Sequence, residues 1–554
     1  MIPQRILLRT LMVLAIWVVP ISVFSETVSA ENVEDPESLT FSQALSGLQN
    51  SSLSQRGEAL EQLSKLQHPR IILILQALLQ GQLFQIRDDG RLVIAEKQKS
   101  GYQIQLAQTG EKLGNKESSQ LKKLNLTNRL RSQLKVLISR LQLNSEDPSL
   151  RLKAVKTLSK RPDQQAYTLL RNLSQTETNH DVRQALQLTF ALQDLKSADK
   201  SRRLQALESL KHLDSVDAMN QVKRLTDNDS DGSYLEPDDD VRKLAKSVLT
   251  KIESRRQFYS SIETIFFGLS LGAVLVLASI GLAITFGVMG VINMAHGELM
   301  MLGAYTTYVM QQIMPNHLGL SLLLSIPAAF LVSGLVGIAI ERGIIRFLYG
   351  RPLETLLATF GVSLFLQQTV RSVFSPLNRS VSTPEWMSGS LQINDFLSFT
   401  WNRFYILVFC LLVFSLLLLI LKRTRLGLEV RAVTQNRNMA KAMGIPTDRV
   451  DAMTFGLGSG IAGVAGVALS QITNVGPNLG QSYIVDCFMV VVFGGVGNLW
   501  GTLVAGFSLG IANKFLEPYA GAVLAKILVL VFIILFIQKR PRGLFPQKGR
   551  AAEA

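Results

Sequence analysis

At 554 residues the chain is long enough for two or more domains. Its net charge of +15 and mean hydropathy of +0.23 average two dissimilar parts. Residues 31–257 are polar and rich in Gln, Lys and Leu, whereas 262–538 is a succession of apolar stretches of about 17–24 residues, the length that crosses a bilayer. The basic excess therefore sets the orientation of spans and is no nucleic-acid signal. Two cysteines, Cys410 and Cys487, both inside apolar stretches, exclude a disulfide framework.

Residues 1–30 read as a signal peptide, with Arg5 and Arg9 ahead of the apolar run Leu11–Val19 and a small-residue cleavage site at Val28-Ser29-Ala30. An uncleaved anchor is the alternative, and either one sends residues 31–257 across the membrane. That region reads as short amphipathic helices. A polar or acidic start, a basic residue and a small apolar residue recur in Ser54-Gln55-Arg56…Ala59, Asp147…Arg151…Ala154, Asp181…Arg183…Ala185 and Asp239…Arg242…Ala245. Asp caps a helix start and Ala lets neighbouring helices approach, so the pattern resembles HEAT-like repeats. A plain helical bundle is the other reading.

Within 84–108 the signals change. Asp88-Asp89-Gly90 is a hairpin turn between Phe84–Ile86 and Arg91–Ile94, and Tyr102–Leu106 alternates with period two, so a small β insertion is expected. The acidic stretch Asp227–Asp240 superficially matches a calcium loop. Gly232 does stand at the required sixth position, but Asp238 stands at the twelfth, where a bidentate Glu is needed, so a solvated linker is the better reading.

Apolar segments then fall near 262–285, 291–313, 320–340, 354–373, 404–421, 452–472, 483–497, 500–515 and 521–538. Within this apolar half, the loop with Arg342, Arg346 and Arg351, the loop 422–451, and the tail with Lys539, Arg540, Arg542, Lys548 and Arg550 hold most of the basic residues. The positive-inside rule makes them cytoplasmic.

Two stretches place polar groups and glycines inside this apolar half. The first carries Gly287, Gly290, Asn293, His296, Gly297 and Glu298; the second carries Asp486, Gly494, Gly495, Gly497, Asn498 and Thr502. Paired glycine interruptions point to broken helices around a midplane substrate path. Ionisable groups at that depth are costly, which makes His296, Glu298 and Asp486 path candidates with Asn293, Asn498 and Thr502. Alternatives stand beside each: close packing for the glycines, a backbone bond for His296, an interfacial position for Glu298 and Asp486. No nucleotide-binding loop, H-E-x-x-H or G-x-S-x-G occurs, so no catalytic site is expected.

Between two spans, residues 425–445 alternate apolar and polar with helical spacing, and Lys422 to Arg449 holds seven basic residues. A short amphipathic helix near 431–445 at that place is a docking element. Arg431, Ala432, Asn436, Ala440, Met443 and Gly444 are its candidate contacts.

I-N-M-A-H-G-E (292–298) with M-L-G-A-Y (301–305), R-P-L-E-T-L-L-A-T-F-G-V-S-L-F-L-Q-Q (351–368), R-A-V-T-Q-N…A-M-G-I-P-T-D-R-V (431–450) and F-G-G-V-G-N-L-W-G-T (493–502) together resemble the permease subunits of branched-chain amino acid-type ABC importers, over 259–545. Within that family the long N-terminal extension and the run 474–502 are most similar to the urea-transporting permeases. The resemblance implies a permease for urea or short amides, with branched-chain amino acid import as the alternative and a passive urea channel or a membrane receptor as rivals of another class. It also implies that the chain is not an enzyme and binds no cofactor or metal. ATP and Mg would be held by two cytoplasmic ATPase subunits, which contact the 431–444 positions. The resemblance further implies a second, paralogous permease subunit and a periplasmic substrate-binding protein as partners, besides membrane lipid.

The expected fold is an all-α polytopic membrane protein of about 8–9 transmembrane segments. It carries an N-terminal, mostly helical (HEAT-like) extracytoplasmic domain with the small β insertion. The expected parts are the signal peptide 1–30, a periplasmic helical-repeat domain 31–257, a permease domain 258–545 in the bacterial inner membrane, and a cytoplasmic tail 546–554.

Overall fold

The structure, a computed structural model, describes residues 36–49, 53–66, 68–98, 101–160, 163–228 and 234–546. The expected signal peptide and nearly all of the tail lie outside the described residues. The chain divides into two compact units, residues 1–190 and 191–554.

The first unit begins with α1 (Pro36–Gly47), α2 (Leu53–Lys65) and α3 (Ile71–Gln80). Their apolar faces close on one core with α4 (Asn128–Gln142), around Leu60, Ile74, Leu75 and Leu134. Between α3 and α4 lies an antiparallel sheet of β1 (Leu83–Ile86), β2 (Leu92–Gln98), β3 (Gly101–Leu106), β4 (Lys112–Lys116) and β5 (Leu121–Lys123), in the order β4-β3-β2-β1-β5. The hairpin at Asp88-Asp89-Gly90 is present, with Gly90 at φ 73°. The sheet is larger than the sequence suggests, because both edge strands lie beyond residue 108. β4 and β5 carry Lys112, Lys116, Lys122 and Lys123, which guard open edges and erase the apolar alternation.

Helices α5 (Pro148–Leu158), α6 (Gln164–Thr176) and α7 (His180–Asp194) follow, and the division between units falls inside α7. The recurring acidic start is a local device. Asp147 accepts from the Ser149 N–H at 2.8 Å and so caps α5. One turn on, Arg151 donates back to the carbonyls of Ser145 and Glu146 at 2.8 and 2.9 Å, and grips Glu177 through two bonds of 2.7 and 2.8 Å. In the second unit Asp199 and Arg203 repeat it, with Glu236 as the acid at 3.0 Å.

The Arg151 hydrogen bond, helped by the Thr178 and Asn179 N–H groups, holds the Glu177 carboxyl below the usual carboxylate range. A carboxyl depressed in the folded state adds stability above its unfolded pKa and loses it as pH falls through the folded value. Glu177→Ala is expected to destabilise the first unit by about 3–5 kcal/mol, since it strands a mostly buried guanidinium. Thermal unfolding of the full chain at neutral pH checks this, and the gap to wild type should shrink as pH drops below the carboxylate range.

The second unit contains α8 (Lys200–Leu210), α9 (Val216–Arg224), α10 (Asp239–Met289), α11 (His296–Ile313), α12 (Leu318–Gly343) and α13 (Pro352–Phe374). A small hairpin, β6 (Ser390–Asn394) and β7 (Leu397–Thr400), comes next. Then follow α14 (Trp401–Arg423), α15 (Arg425–Gln435), α16 (Arg437–Ala442), α17 (Thr447–Ser470), α18 (Leu479–Gly494) and α19 (Leu499–Lys539). The expected boundary at 257/258 lies inside α10, which runs unbroken for 51 residues. Its polar first part is fastened to the α8–α9 loop by Arg255, bonded to the Lys211 carbonyl at 2.7 Å and to Asp214 at 3.2 Å.

Among the described residues five helices, α10, α12, α14, α17 and α19, are long and apolar enough to cross a membrane. The expected segments 291–313, 354–373 and 483–497 correspond to α11, α13 and α18, which are shorter or more polar. The segments 500–515 and 521–538 are the two parts of α19, joined at Gly521 (φ 77°). Helix α17 is buried along almost its whole length. It is lined by Gly456, Gly458, Gly460, Gly463 and Gly466, which let α10, α11 and α12 close on it.

Candidate functional site

Glycines set the closest approaches in the second unit. A Cβ on Gly281 would sit 2.2 Å from the Gly458 carbonyl oxygen, and one on Gly303 would sit 2.0 Å from that of Gly463. Backbone cannot yield as a side chain can. Gly303→Ala is therefore expected to cost about 1–3 kcal/mol by forcing α11 off α17. Gly343→Ala, which meets open space, should leave the melting temperature unchanged in the same thermal scan.

The six glycines of the two interrupted stretches divide by role. Gly290 ends α10 in the left-handed region (φ 67°), and Gly495 and Gly497 (φ 102° and 78°) break the chain between α18 and α19. Gly287, Gly297 and Gly494 are contact glycines, packed on Gly497, Gly480 and Gly501. The Gly287–Gly497 contact, 2.4 Å from a built Cβ to the Gly497 Cα, brings the two interruptions together.

The polar residues of the first interruption are buried. Asn293 Oδ1 accepts from the Ala295 N–H at 3.0 Å and shapes the turn into α11. His296 Nε2 donates to the Ala278 carbonyl at 2.8 Å, which pins α11 to α10 and fixes the proton on that nitrogen. Glu298 Oε1 accepts from the Ser363 hydroxyl at 3.0 Å and the Gln367 amide at 2.7 Å, while Oε2 has no partner. Thr359, one turn before Ser363, accepts from the Met294 N–H at 3.2 Å. Thr359, Ser363 and Gln367 thus form one buried polar stripe on α13 facing the 292–298 segment, continued by buried Thr355, which bonds the Leu348 and Arg351 carbonyls. Sequence reading missed this stripe, although polar residues every four positions in an apolar helix are its signal.

The second interruption is used differently. Asn498 Oδ1 caps α19 by accepting from the Gly501 N–H at 3.1 Å, its Nδ2 reaches the Phe545 carbonyl at 3.3 Å, and Thr502 donates to the Asn498 carbonyl at 3.1 Å. Asp486 pairs with Lys526 of α19 at 3.0 Å, not with a residue of α11 or α13. The structure therefore gathers Asn293, His296 and Glu298 around one crossing and places Asp486 in a separate contact between α18 and α19.

The basic segment holds two short helices where one was expected. Asn436 leaves helical geometry (φ −157°) and its side chain caps α16 through the Met439 N–H at 3.0 Å. Arg431 is exposed and donates to the Leu421 carbonyl. Ala432 is half-buried, and Ala440 is buried beside Val430, Val433 and Val450. Gly444 turns the chain at φ 86°. Met439 and Met443 stand out at 62% and 78% exposure, an apolar tip on a basic loop. Arg437 anchors the tip: its guanidinium makes two bonds to Asp451 of α17, one of 3.1 Å, and lies 4.1 Å over the Tyr349 ring. The Asp451 hydrogen bonds raise the Arg437 pKa further, so the clamp stays charged. Met439, Arg437 and Asp451 were not singled out from sequence. Beside this segment a cavity of about 1010 Å³ is lined by Val288, Lys422, Arg431, Asn436, Asn498 and Trp500, among others.

The family model described as branched-chain amino acid transport system, permease component, matches residues 264–537. The chain is 30% identical over 299 residues to the high-affinity branched-chain amino acid transport system permease protein LivH of Salmonella typhimurium, covering 52% of this chain and 96% of the relative, and it matches LivH of Escherichia coli K12 to the same extent. BraD of Pseudomonas aeruginosa, a permease protein of the same description, is 28% identical over 298 residues, again 52% of this chain and 96% of the relative. Helices α10 to α19, with their glycine crossings and basic loop, therefore make the chain a member of the branched-chain amino acid-type permease family of ABC transporters.

Proposed function

We propose that this chain is the permease subunit of an ATP-driven importer, in which it forms part of the substrate path and receives motion from separate ATPase subunits on α15–α16. The observation that carries this reading is the exposed Met439–Met443 tip, held on α17 by the Arg437–Asp451 clamp. An apolar tip on a charged loop fits a cleft in a partner, and a rigid anchor turns movement of the tip into movement of a buried helix. The basic loops support an orientation with this tip in the cytoplasm and residues 31–257 in the periplasm of an inner-membrane protein. In that arrangement ATP and Mg belong to two ATPase subunits, a second permease completes the path, and a periplasmic protein delivers the substrate. The Asp-x-x-x-Arg device at α5 and α8 supports a HEAT-like repeat for the N-terminal helices.

For the substrate, the names of the relatives support a branched-chain amino acid. Urea is the second reading, favoured by the long N-terminal extension and by the 474–502 run. Uptake of labelled leucine and labelled urea in cells with and without the chain decides between them. Loss of neither would sink the importer reading for both substrates.

A further inference from the structure

Helix α13 is 23 residues long, about 34 Å of helix, enough to cross the hydrocarbon core. Its buried stripe fixes how it is turned, because Ser363 and Gln367 are bonded to Glu298 and Thr359 to the Met294 N–H. The opposite face is exposed and mixed. Beside Leu357, Leu364 and Phe365 it shows Gly361, Gln368 and Ser372, which share one line at spacings of seven and four. Helices α12 and α14 turn mainly aliphatic side chains outward, and the exposed Ser415 of α14 bonds its own helix at the Leu411 carbonyl. Helix α12 turns Leu323, Leu324, Leu331, Val332 and Leu335 outward, and its Ser321, Ser325 and Ser333 are all buried. Helix α14 turns out Val408, Leu411, Leu412, Leu416 and Leu419.

Two features of the α13 face disagree with a lipid contact. A primary amide at Gln368 lies only about 7 Å along the axis from the middle of the helix, where lipid offers no hydrogen-bond partner. Gly361, close to that middle, has nothing within 4 Å of a built Cβ, so packing within this chain does not require it. Glycine weakens a helix interior, and one that packing does not need there leaves the backbone open to close approach by a ligand.

We infer that the outward face of α13 along Gly361, Gln368 and Ser372 is a wall of the substrate path, with the Gln368 amide as a hydrogen-bond partner for polar groups of the passing substrate. The inference rests on the permease reading and adds to it the surface that substrate meets. Gln367 and Gln368 then have separate tasks: one holds the helix to Glu298, the other serves the path.

The test places single cysteines at 361, 368 and 372, and as lipid-facing references at 335 and 412, in the full chain assembled in membranes. Cys410 and Cys487 are buried and give a low background. A charged methanethiosulfonate reagent should label 368 and 372 at least about tenfold faster than 335 and 412, because only a water-exposed thiol forms the reactive thiolate. In parallel, Gln368→Leu should lower uptake about tenfold at unchanged membrane abundance, the effect of one lost hydrogen bond in the path, and Gln368→Asn should restore part of it. Labelling as slow as at 335 and 412 would overturn the proposal. So would labelling failure with cross-linking of these cysteines to a neighbouring subunit, which means a dry contact. Failure of the permease reading shows separately, as no uptake of any substrate alongside an unchanged labelling pattern.

Discussion

Arg437→Ala is expected to abolish coupled uptake while leaving the chain in the membrane. The guanidinium ties the α16 start to Asp451 of α17, whose side chain is 5% exposed. Removing one partner of such a pair strands the other and costs about 3–5 kcal/mol. That is enough to detach α16 from α17, so a push on the Met439–Met443 tip no longer reaches the buried helix. Loss of about 3 kcal/mol of coupling corresponds to at least about hundredfold slower transport. Asp451→Ala should match it, and the double change Arg437→Met with Asp451→Leu should recover part of the loss, because an apolar pair leaves no stranded charge. The readouts are uptake and substrate-stimulated ATP hydrolysis in the assembled importer. Near-normal uptake in Arg437→Ala would show that the clamp does not transmit motion.

The features legible in sequence were those written in one local pattern. The glycine interruptions at 287–297 and 494–497 are visible because glycine and Asn punctuate apolar runs, and the structure joins them at Gly287 and Gly497. The split of the basic segment was not legible. Helical spacing continues through Asn436, and only its cap bond to Met439 reveals that α15 ends there. Asn498 and Thr502 looked like path residues by type, yet their side chains bond at the start of α19, a choice that depends on local geometry. The α13 stripe depends on which face meets α11, a tertiary fact, although its four-residue spacing was on view. Asp486 shows the same limit, since its partner Lys526 is 40 positions away.

Glu298→Ala is the second change with a large expected effect, and its conservative partner separates the two substrates. Alanine leaves the Ser363 hydroxyl and the Gln367 amide buried without an acceptor, at about 1–3 kcal/mol each. Helix α13 then loses its tie to α11, and uptake should fall about hundredfold with a lower melting temperature. Glu298→Gln keeps a carbonyl oxygen that accepts from both donors, so the joint and the melting temperature should survive. What it changes is the acid at the unpartnered Oε2, which becomes an amide. An amino acid carries an ammonium group that a buried carboxylate attracts, whereas urea is neutral and does not need it. Leucine uptake reduced about tenfold in Glu298→Gln would mark Glu298 as a substrate contact and favour the amino acid. Leucine uptake and urea uptake both retained in the same variant would confine Glu298 to holding α13 in place. Wild-type stability and uptake in Glu298→Ala would refute the joint itself.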